Sequence, residues 1–280
     1  MRTYGQAPPI QAETMTIRTS DLVPAPTPPK IALEEYRDSD QEQERLRSLF
    51  QLIPGQGRSA LDIGARDGYL SLRLAERFAS VTALDLELPR IDHPSVACVR
   101  GDVRAMEFPR GTFELVLCAE VLEHLPPVLL PEACAEISRV ARDKVLIGVP
   151  YRQDIRSGRT TCGRCRGKNP PWGHVNVFDK ETLQRLFPDL RIEAIEYSGQ
   201  TRDRTNFISA WLLDRAGNPW GSYNQEEPCI HCGARMLAPA SRGLAQKLLS
   251  FVGQRLKDFQ GRFLAPRPIW IHVLFSKPQA

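Results

Sequence analysis

The stretch Ser59–Glu87, SALDIGARDGYLSLRLAERFASVTALDLE, reads as strand, glycine turn, helix and strand. Ser59–Ile63 is a short apolar run that stops at Gly64, as a buried strand does. Gly64-Ala65-Arg66-Asp67-Gly68 is the turn. Across Tyr69–Phe78, Leu70, Leu74 and Phe78 recur at i, i+4 and i+8, one face of a helix. Val81–Leu84 is the second strand, with Asp85 at its carboxyl end. A carboxylate about 20 residues beyond a glycine turn can accept hydrogen bonds from both hydroxyls of a ribose. Glycines let backbone pass close to a ligand, and a helix amino terminus offers unpaired N–H groups.

A glycine pair alone fits any βαβ unit. Two details narrow the reading. Asp62 lies two residues before Gly64, and Arg66 and Tyr69 stand where the later glycines of a dinucleotide fingerprint would be. An acidic side chain at 62 suits a ligand with a cationic part, a sulfonium or an ammonium, and would repel a pyrophosphate.

With these residues the chain resembles the class I S-adenosylmethionine (SAM) dependent methyltransferases, and the likeness continues from Leu46 to Pro150. Gly101-Asp102-Val103 follows a third strand, Val96–Val99. Phe113–Glu120 reads as a fourth strand running into Val121-Leu122-Glu123-His124-Leu125, similar to the EHL segment of the ubiquinone-type subgroup. The resemblance implies an α/β, Rossmann-like, seven-stranded, mostly parallel sheet with helices on both faces. It also implies SAM as cofactor. Asp62, Gly64 and Gly68 would hold the methionine end, Asp85 the ribose, Asp102 the adenine, and Glu120 the pocket floor, with Leu86 and Val103 as further cofactor-binding candidates. Arg66 departs from the family's usual glycine. It either pairs with Glu87 or Asp67 or reaches the SAM carboxylate.

The 280 residues allow one large α/β domain plus an insertion, or at most two domains, and 42% hydrophobic content supports a sizeable core. A net charge of +4 from 37 basic and 33 acidic residues is mild, which argues against a dedicated nucleic-acid protein. No run approaches the ~18 apolar residues of a membrane span, and the first 20 residues lack the apolar core of a secretory signal. A cytoplasmic protein with reduced cysteines is expected.

Residues 1–30 are polar and proline-rich, a composition that cannot offset its ordering entropy, so a disordered tail is expected. Residues 31–150 then form the SAM-binding core. Tyr36 either covers the cofactor or sits on the surface. Gln41–Leu52 is helical, and Pro54-Gly55 breaks it. Leu129–Val140 reads as an amphipathic helix and Lys144–Val149 as the fifth strand. Asp179 is a candidate N-cap for a helix over Lys180–Phe187, and Leu190–Tyr197 alternates as a sixth strand within a 180–198 core segment. Phe207–Leu213 suggests a further strand. Residues 244–280 supply a helix, with Leu244, Leu248, Val252, Leu256 and Phe259 on one face, and a last strand at Ile269–Phe275.

Two insertions, 151–179 and 199–243, each carry one C-x-x-C pair: Cys162/Cys165 and Cys229/Cys232. Such turns aim two thiolates at one ion, so a structural four-cysteine zinc site is expected. The 63 intervening residues mean that only the tertiary fold brings the pairs together. Free thiols and a redox dithiol are the alternatives. His231 lies inside the second pair and would point outward. Cys98, Cys118 and Cys134 read as small core residues.

Methyl transfer needs alignment of the nucleophile and, for a hydroxyl or carbon acid, removal of a proton. Histidine suits that task near neutral pH. His124 follows the fourth strand, on the sheet edge that carries Asp85 and Glu120. It is the first candidate base, unless it only packs the Pro126-Pro127 turn. His174 lies on the insertion that should cover the crevice, beside Trp172, and either lines the substrate pocket or packs a loop. Tyr151 is a third candidate. The sequence thus points to methyl transfer to a small-molecule, glycan or secondary-metabolite acceptor. The alternative is a non-catalytic SAM- and zinc-binding protein that presents Arg152, Arg156, Arg159, Arg164 and Arg166 to RNA or a protein partner. Oligomeric state is left open.

Overall fold

In the computed structural model, which describes residues 37–278 apart from Ala240, seven strands form one sheet in the order β3-β2-β1-β4-β5-β9-β8. Its strands are β1 (Gly57–Ile63), β2 (Phe78–Asp85), β3 (Val96–Arg100), β4 (Phe113–Ala119), β5 (Ala141–Pro150), β8 (Arg191–Ser198) and β9 (Trp270–Ser276). The first five run parallel, and β9 is antiparallel to both β5 and β8. This is the expected α/β, Rossmann-like sheet. The expected tail at 1–30 and Tyr36 lie outside the described residues.

Alternation along the central strands divides the apolar side chains between two cores. Val116 and Cys118 of β4 face one side, where α3 (Leu130–Val140) packs with Cys134 and Ile137 and α4 (Lys180–Leu186) with Leu183. Leu115 and Leu117 face the other, where α1 (Asp40–Leu52) contributes Leu49 and α2 (Tyr69–Ala75) contributes Leu74. Each fully buried leucine is worth roughly 1.5–3 kcal/mol relative to exposure. Burial on both faces explains why the central strands are nearly continuous apolar runs.

Local chemistry sets several boundaries. Asp179 caps α4 by accepting the Thr182 N–H, as its position suggests. The helix after the glycine turn ends at Ala75, and Phe78 belongs to β2 instead, because Gly57 pairs in register with Phe78 and draws the chain into the sheet. The apolar run at 207–213 is not a strand but α5 (Phe207–Arg215). Asn206 and Ser209 close a reciprocal capping box at its start, and Ser209, Ala210 and Leu213 recur at helical spacing on its buried side.

The last helix, α6 (Leu244–Gly261), also departs from expectation for a core element. Its buried residues are Ser250 and Gly253, and α5 is its main partner. The apolar face of Leu244, Leu248, Val252, Leu256 and Phe259 is exposed. Between β5 and α4 the first insertion forms a small hairpin, β6 (Thr160–Thr161) with β7 (Lys168–Asn169).

Candidate active site and cysteine centre

The strand–turn–helix unit delivers a tight loop at the carboxyl edge of the sheet. Gly64 and Gly68 have φ of 80° and 85°, the left-handed region that side chains avoid, and a Cβ on Gly64 would meet the Val121 side chain at 2.4 Å. Arg66 adopts φ 46° in the same loop. Its backbone N–H donates to Asp85 Oδ2 at 2.9 Å, so the carboxylate at the end of β2 holds the turn. The Arg66 guanidinium pairs with neither Glu87 nor Asp67. It donates to Glu226 Oε2 at 2.9 Å, while Asp67 pairs with Arg37.

Asp62 lies beneath the turn, 1% exposed, and accepts a 2.6 Å hydrogen bond from the Ser71 hydroxyl at the start of α2. Burial raises its pKa to about 6 against the opposing Ser71 bond. It is not among the described residues that line the cavity above. Asp85 and Asp102 sit at adjacent strand ends, joined by the Gly101 N–H to the Asp85 carbonyl. The Asp102 carboxylate is engaged by Arg104 at 2.6 Å, which lowers its pKa. Leu86 is exposed and Val103 is buried.

A cavity of about 640 Å³ runs from the glycine turn to the first insertion. Gly64, Arg66, Glu120, His124, Trp172 and His174 all line it. Glu120 has φ 56°, accepts from Trp270 Nε1 at 3.2 Å, and has a pKa raised chiefly by burial. The His124 and His174 rings meet edge to face, centroids 4.7 Å apart. His174 Nδ1 lies 2.6 Å from Gln153 Oε1. Burial, then the Arg66 charge, lowers the His124 pKa to about 4; burial, then His124, lowers that of His174 to about 3. Both imidazoles are therefore neutral near pH 7. Beneath them Glu123 is wholly buried, neither carboxyl oxygen has a hydrogen-bond partner among the described residues, and burial raises its pKa well above the usual range. One ligand-type atom from each of Glu123, His124 and His174 lies within 4.8 Å of the others.

The EHL segment and the insertion meet through backbone. The Val175 N–H donates to the Glu123 carbonyl, and the Asn176 side-chain Nδ2 donates to the Leu122 and Leu125 carbonyls. Tyr151 is outside the cavity, stacked edge-on against Tyr197. His272 is buried in β9 against the Ser48 hydroxyl, and His93 accepts the Ser95 N–H.

Four thiols converge at the second site. Cys162 Sγ lies 3.7 Å from Cys232 Sγ, and Cys165 Sγ lies 3.6 Å from Cys229 Sγ; all four lie within 4.8 Å of one another. A tetrahedron with zinc–sulfur bonds of about 2.3 Å has edges of about 3.8 Å, so the donor set and its size fit zinc. His231 Nε2 turns to the Lys168 carbonyl at 3.0 Å. The Ile230 N–H donates to Asn169 and the Thr161 N–H to Tyr223, which lock the two insertions together. The segment that this fixes, Gln225–Glu227, reaches the cavity. Gln225 accepts the Trp172 N–H, and Glu226 meets Arg66. Sequence reading missed Glu226, Gln153 and Trp270 because no spacing links them to Arg66, His174 and Glu120, the residues they meet.

Residues 60–144 match the profile of a methyltransferase domain family. A ubiquinone biosynthesis O-methyltransferase of Xanthomonas campestris pv. campestris is 39% identical over 105 residues, 33% of this chain and 44% of that protein. One of Paracidovorax citrulli is 32% identical over 105 residues, with the same coverage. The chain thus spans less than half the length of the curated relatives it matches. Two solved structures share the fold. A Bacillus halodurans protein provisionally classed as a methyltransferase has TM-score 0.53 at 16% identity, covering 84% of this chain and 99% of that one. The N-methyltransferase NodS of Bradyrhizobium japonicum, in complex with S-adenosyl-L-homocysteine, has TM-score 0.51 at 15% identity, covering 88% and 91%.

Proposed function

Because the chain carries a methyltransferase domain in a class I methyltransferase fold, we propose that it transfers a methyl group from SAM to a small-molecule, glycan or secondary-metabolite acceptor. The observation that carries this reading is the single cavity joining the glycine turn to the paired imidazoles of His124 and His174. When bound, SAM supplies a methyl carbon already activated by its positive sulfur. The left-handed turn at Gly64 and Gly68 would bring backbone to its methionine end, and Asp62, buried below the turn and outside the cavity lining, would favour a cationic ligand only through its charge. By the family resemblance Asp85 would meet the ribose and Asp102 the adenine, with Leu86 and Val103 beside them, although none of the four is among the described residues that line the cavity. Glu120 closes the floor.

His124 and His174, neutral near pH 7, are able to accept a proton from an acceptor hydroxyl. Trp172 covers the pocket with an apolar wall that excludes water. We assign the zinc a structural role, because four thiolates fill its coordination shell and leave no position for substrate. Its task is to hold Gln225–Glu227 against the glycine turn.

The docking alternative loses ground on charge. Arg152 pairs with Asp179, Arg156 with Asp154 and Arg159 with Asp214, so three of the five loop arginines are engaged within the protein. Calorimetric titration of the zinc-quantified chain with SAM and S-adenosylhomocysteine tests the reading. Micromolar binding of both, weakened at least tenfold by Asp85→Ala, is expected. Absence of binding by either would return the docking alternative to the front.

A further inference from the structure

Helices α5 and α6 pack antiparallel. Asn206 Nδ2 donates to Gln260 Oε1 at 2.7 Å at one end, and Gln246 approaches Gly217 at the other. A Cβ on Gly253 would lie 3.1 Å from Leu212 and Leu213, so the two helices meet closely through their small residues. That choice of face leaves the large side chains outside. Phe207 is 80% exposed and Leu244 85%, and Ile208, Trp211, Leu248, Phe251, Phe259 and Phe263 are exposed with them. A soluble surface rarely shows so many large apolar groups on one hairpin, and a patch of this kind marks an interaction site.

Its charges identify the partner. Arg215 lies over Trp211, Arg255 over Phe251 and Arg242 over Trp220, each cation 5.3 Å or less from the ring centroid. Lys247 and Arg262 are exposed beside them, and Asp258 is the one acidic residue within α6. Trp220, Arg242, Lys247, Phe251 and Arg255 also line one groove of about 520 Å³. Cations interleaved with aromatic and aliphatic side chains suit a negatively charged layer over a hydrocarbon one. A second copy of this face would oppose like charges, which disfavours self-association. No helix among the described residues is long and apolar enough to cross a membrane, so α6 would lie along a bilayer rather than span it.

We propose that the α5–α6 hairpin docks the protein on anionic phospholipid bilayers, its aromatic and leucine side chains entering the interface and its arginines meeting lipid phosphates. The hairpin is tied to the cavity described above. Lys257 of α6 donates to the Ser157 hydroxyl at 2.6 Å and pairs with Asp203 at 2.5 Å, and both of those residues line the cavity. Docking would therefore bring one wall of that cavity close to the lipid surface. The docking itself does not depend on which reaction the cavity hosts.

Vesicle flotation of the full, zinc-loaded chain tests this directly. The chain should float with phosphatidylcholine vesicles that contain phosphatidylglycerol and stay behind with phosphatidylcholine alone. Phe251→Glu with Phe259→Glu should weaken flotation roughly tenfold or more, and Arg255→Glu or added salt should weaken it further. Melting temperatures should stay near that of the parent, because these side chains are exposed. Soluble glycerol phosphate should not compete, since a lone headgroup lacks the apolar layer. Three results would overturn the proposal: no flotation at low salt, equal flotation of the double variant, or a concentration-dependent dimer that Phe259→Glu dissociates.

Discussion

The guanidinium of Arg66 meets the carboxylate of Glu226 at 2.9 Å across 160 positions of sequence. One residue belongs to the glycine turn and the other to the segment fixed by the cysteine centre. Their contact joins the two sites. It also accounts for an arginine where the resemblance leads one to expect glycine: the left-handed backbone is retained, and the side chain leaves the turn for the insertion.

Replacing Arg66 by glycine removes an ion pair whose partners are 54% and 26% exposed, a contribution of at most about 1 kcal/mol. It also removes the strain of a side chain at φ 46°, which costs about 1–2 kcal/mol. Arg66→Gly is expected to melt at or slightly above the parent temperature, whereas Glu226→Gln should melt slightly below it. A large loss of stability in Arg66→Gly, read by calorimetry, would show that the ion pair matters more than its exposure suggests.

Zinc should purify with the protein at one ion per chain. Chelation, or Cys229→Ser, should increase hydrogen exchange across residues 158–170 and 220–236 and leave the sheet protected, because β1–β5 pack without contribution from that module. Release of Gln225–Glu227 should also weaken ligand binding in the cavity. Unchanged exchange after complete metal removal would end the structural assignment.

Acid should destabilise the fold through its buried imidazoles. His124, His174 and His272 have pKa values lowered from 6.5 to about 4, 3 and 3, so below pH 6.5 the unfolded chain binds the extra protons. Stability then falls as pH drops from about 6.5 toward 4, by at most about 1.4 kcal/mol per pH unit for each histidine. Asp62 opposes this below pH 6, and Glu120, Glu123 and Glu227 act in the same direction, because burial raises each carboxyl pKa and makes the folded state the stronger proton binder. His174→Gln should flatten the melting-temperature profile between pH 6.5 and 4. A profile unchanged by that substitution would mean that His174 is not held neutral.

Asn206→Ala should cost about 1 kcal/mol, since it removes the side-chain half of the capping box at α5. A strand at 207–213 would have no such dependence. Urea denaturation distinguishes the two outcomes.

The parallel sheet was legible in the chain because its central strands are buried on both faces, and burial writes itself as apolar runs ending in turns. Ser59–Glu87 alone carries that pattern, and the two C-x-x-C pairs carried the metal expectation for the same reason: short-range spacing fixes local geometry. Where periodicities coincide, the sequence misled. Phe78 continues a helical stripe yet belongs to β2, because pairing with Gly57 outweighs one more half-turn of helix. Phe207–Leu213 is apolar enough for a strand, yet its cap and its packing on α6 make it helical. Which face of an amphipathic helix turns inward is not a local property. Ser250 and Gly253 are buried in α6 because only small residues admit so close a neighbour, and that neighbour is supplied by residues 40 positions earlier. The site follows the same division. Motif residues gave the turn and the carboxylate that braces it. The meeting of His124 with His174, of the four thiols with one another, and of Arg66 with Glu226 exists only where long loops are folded back over the sheet edge.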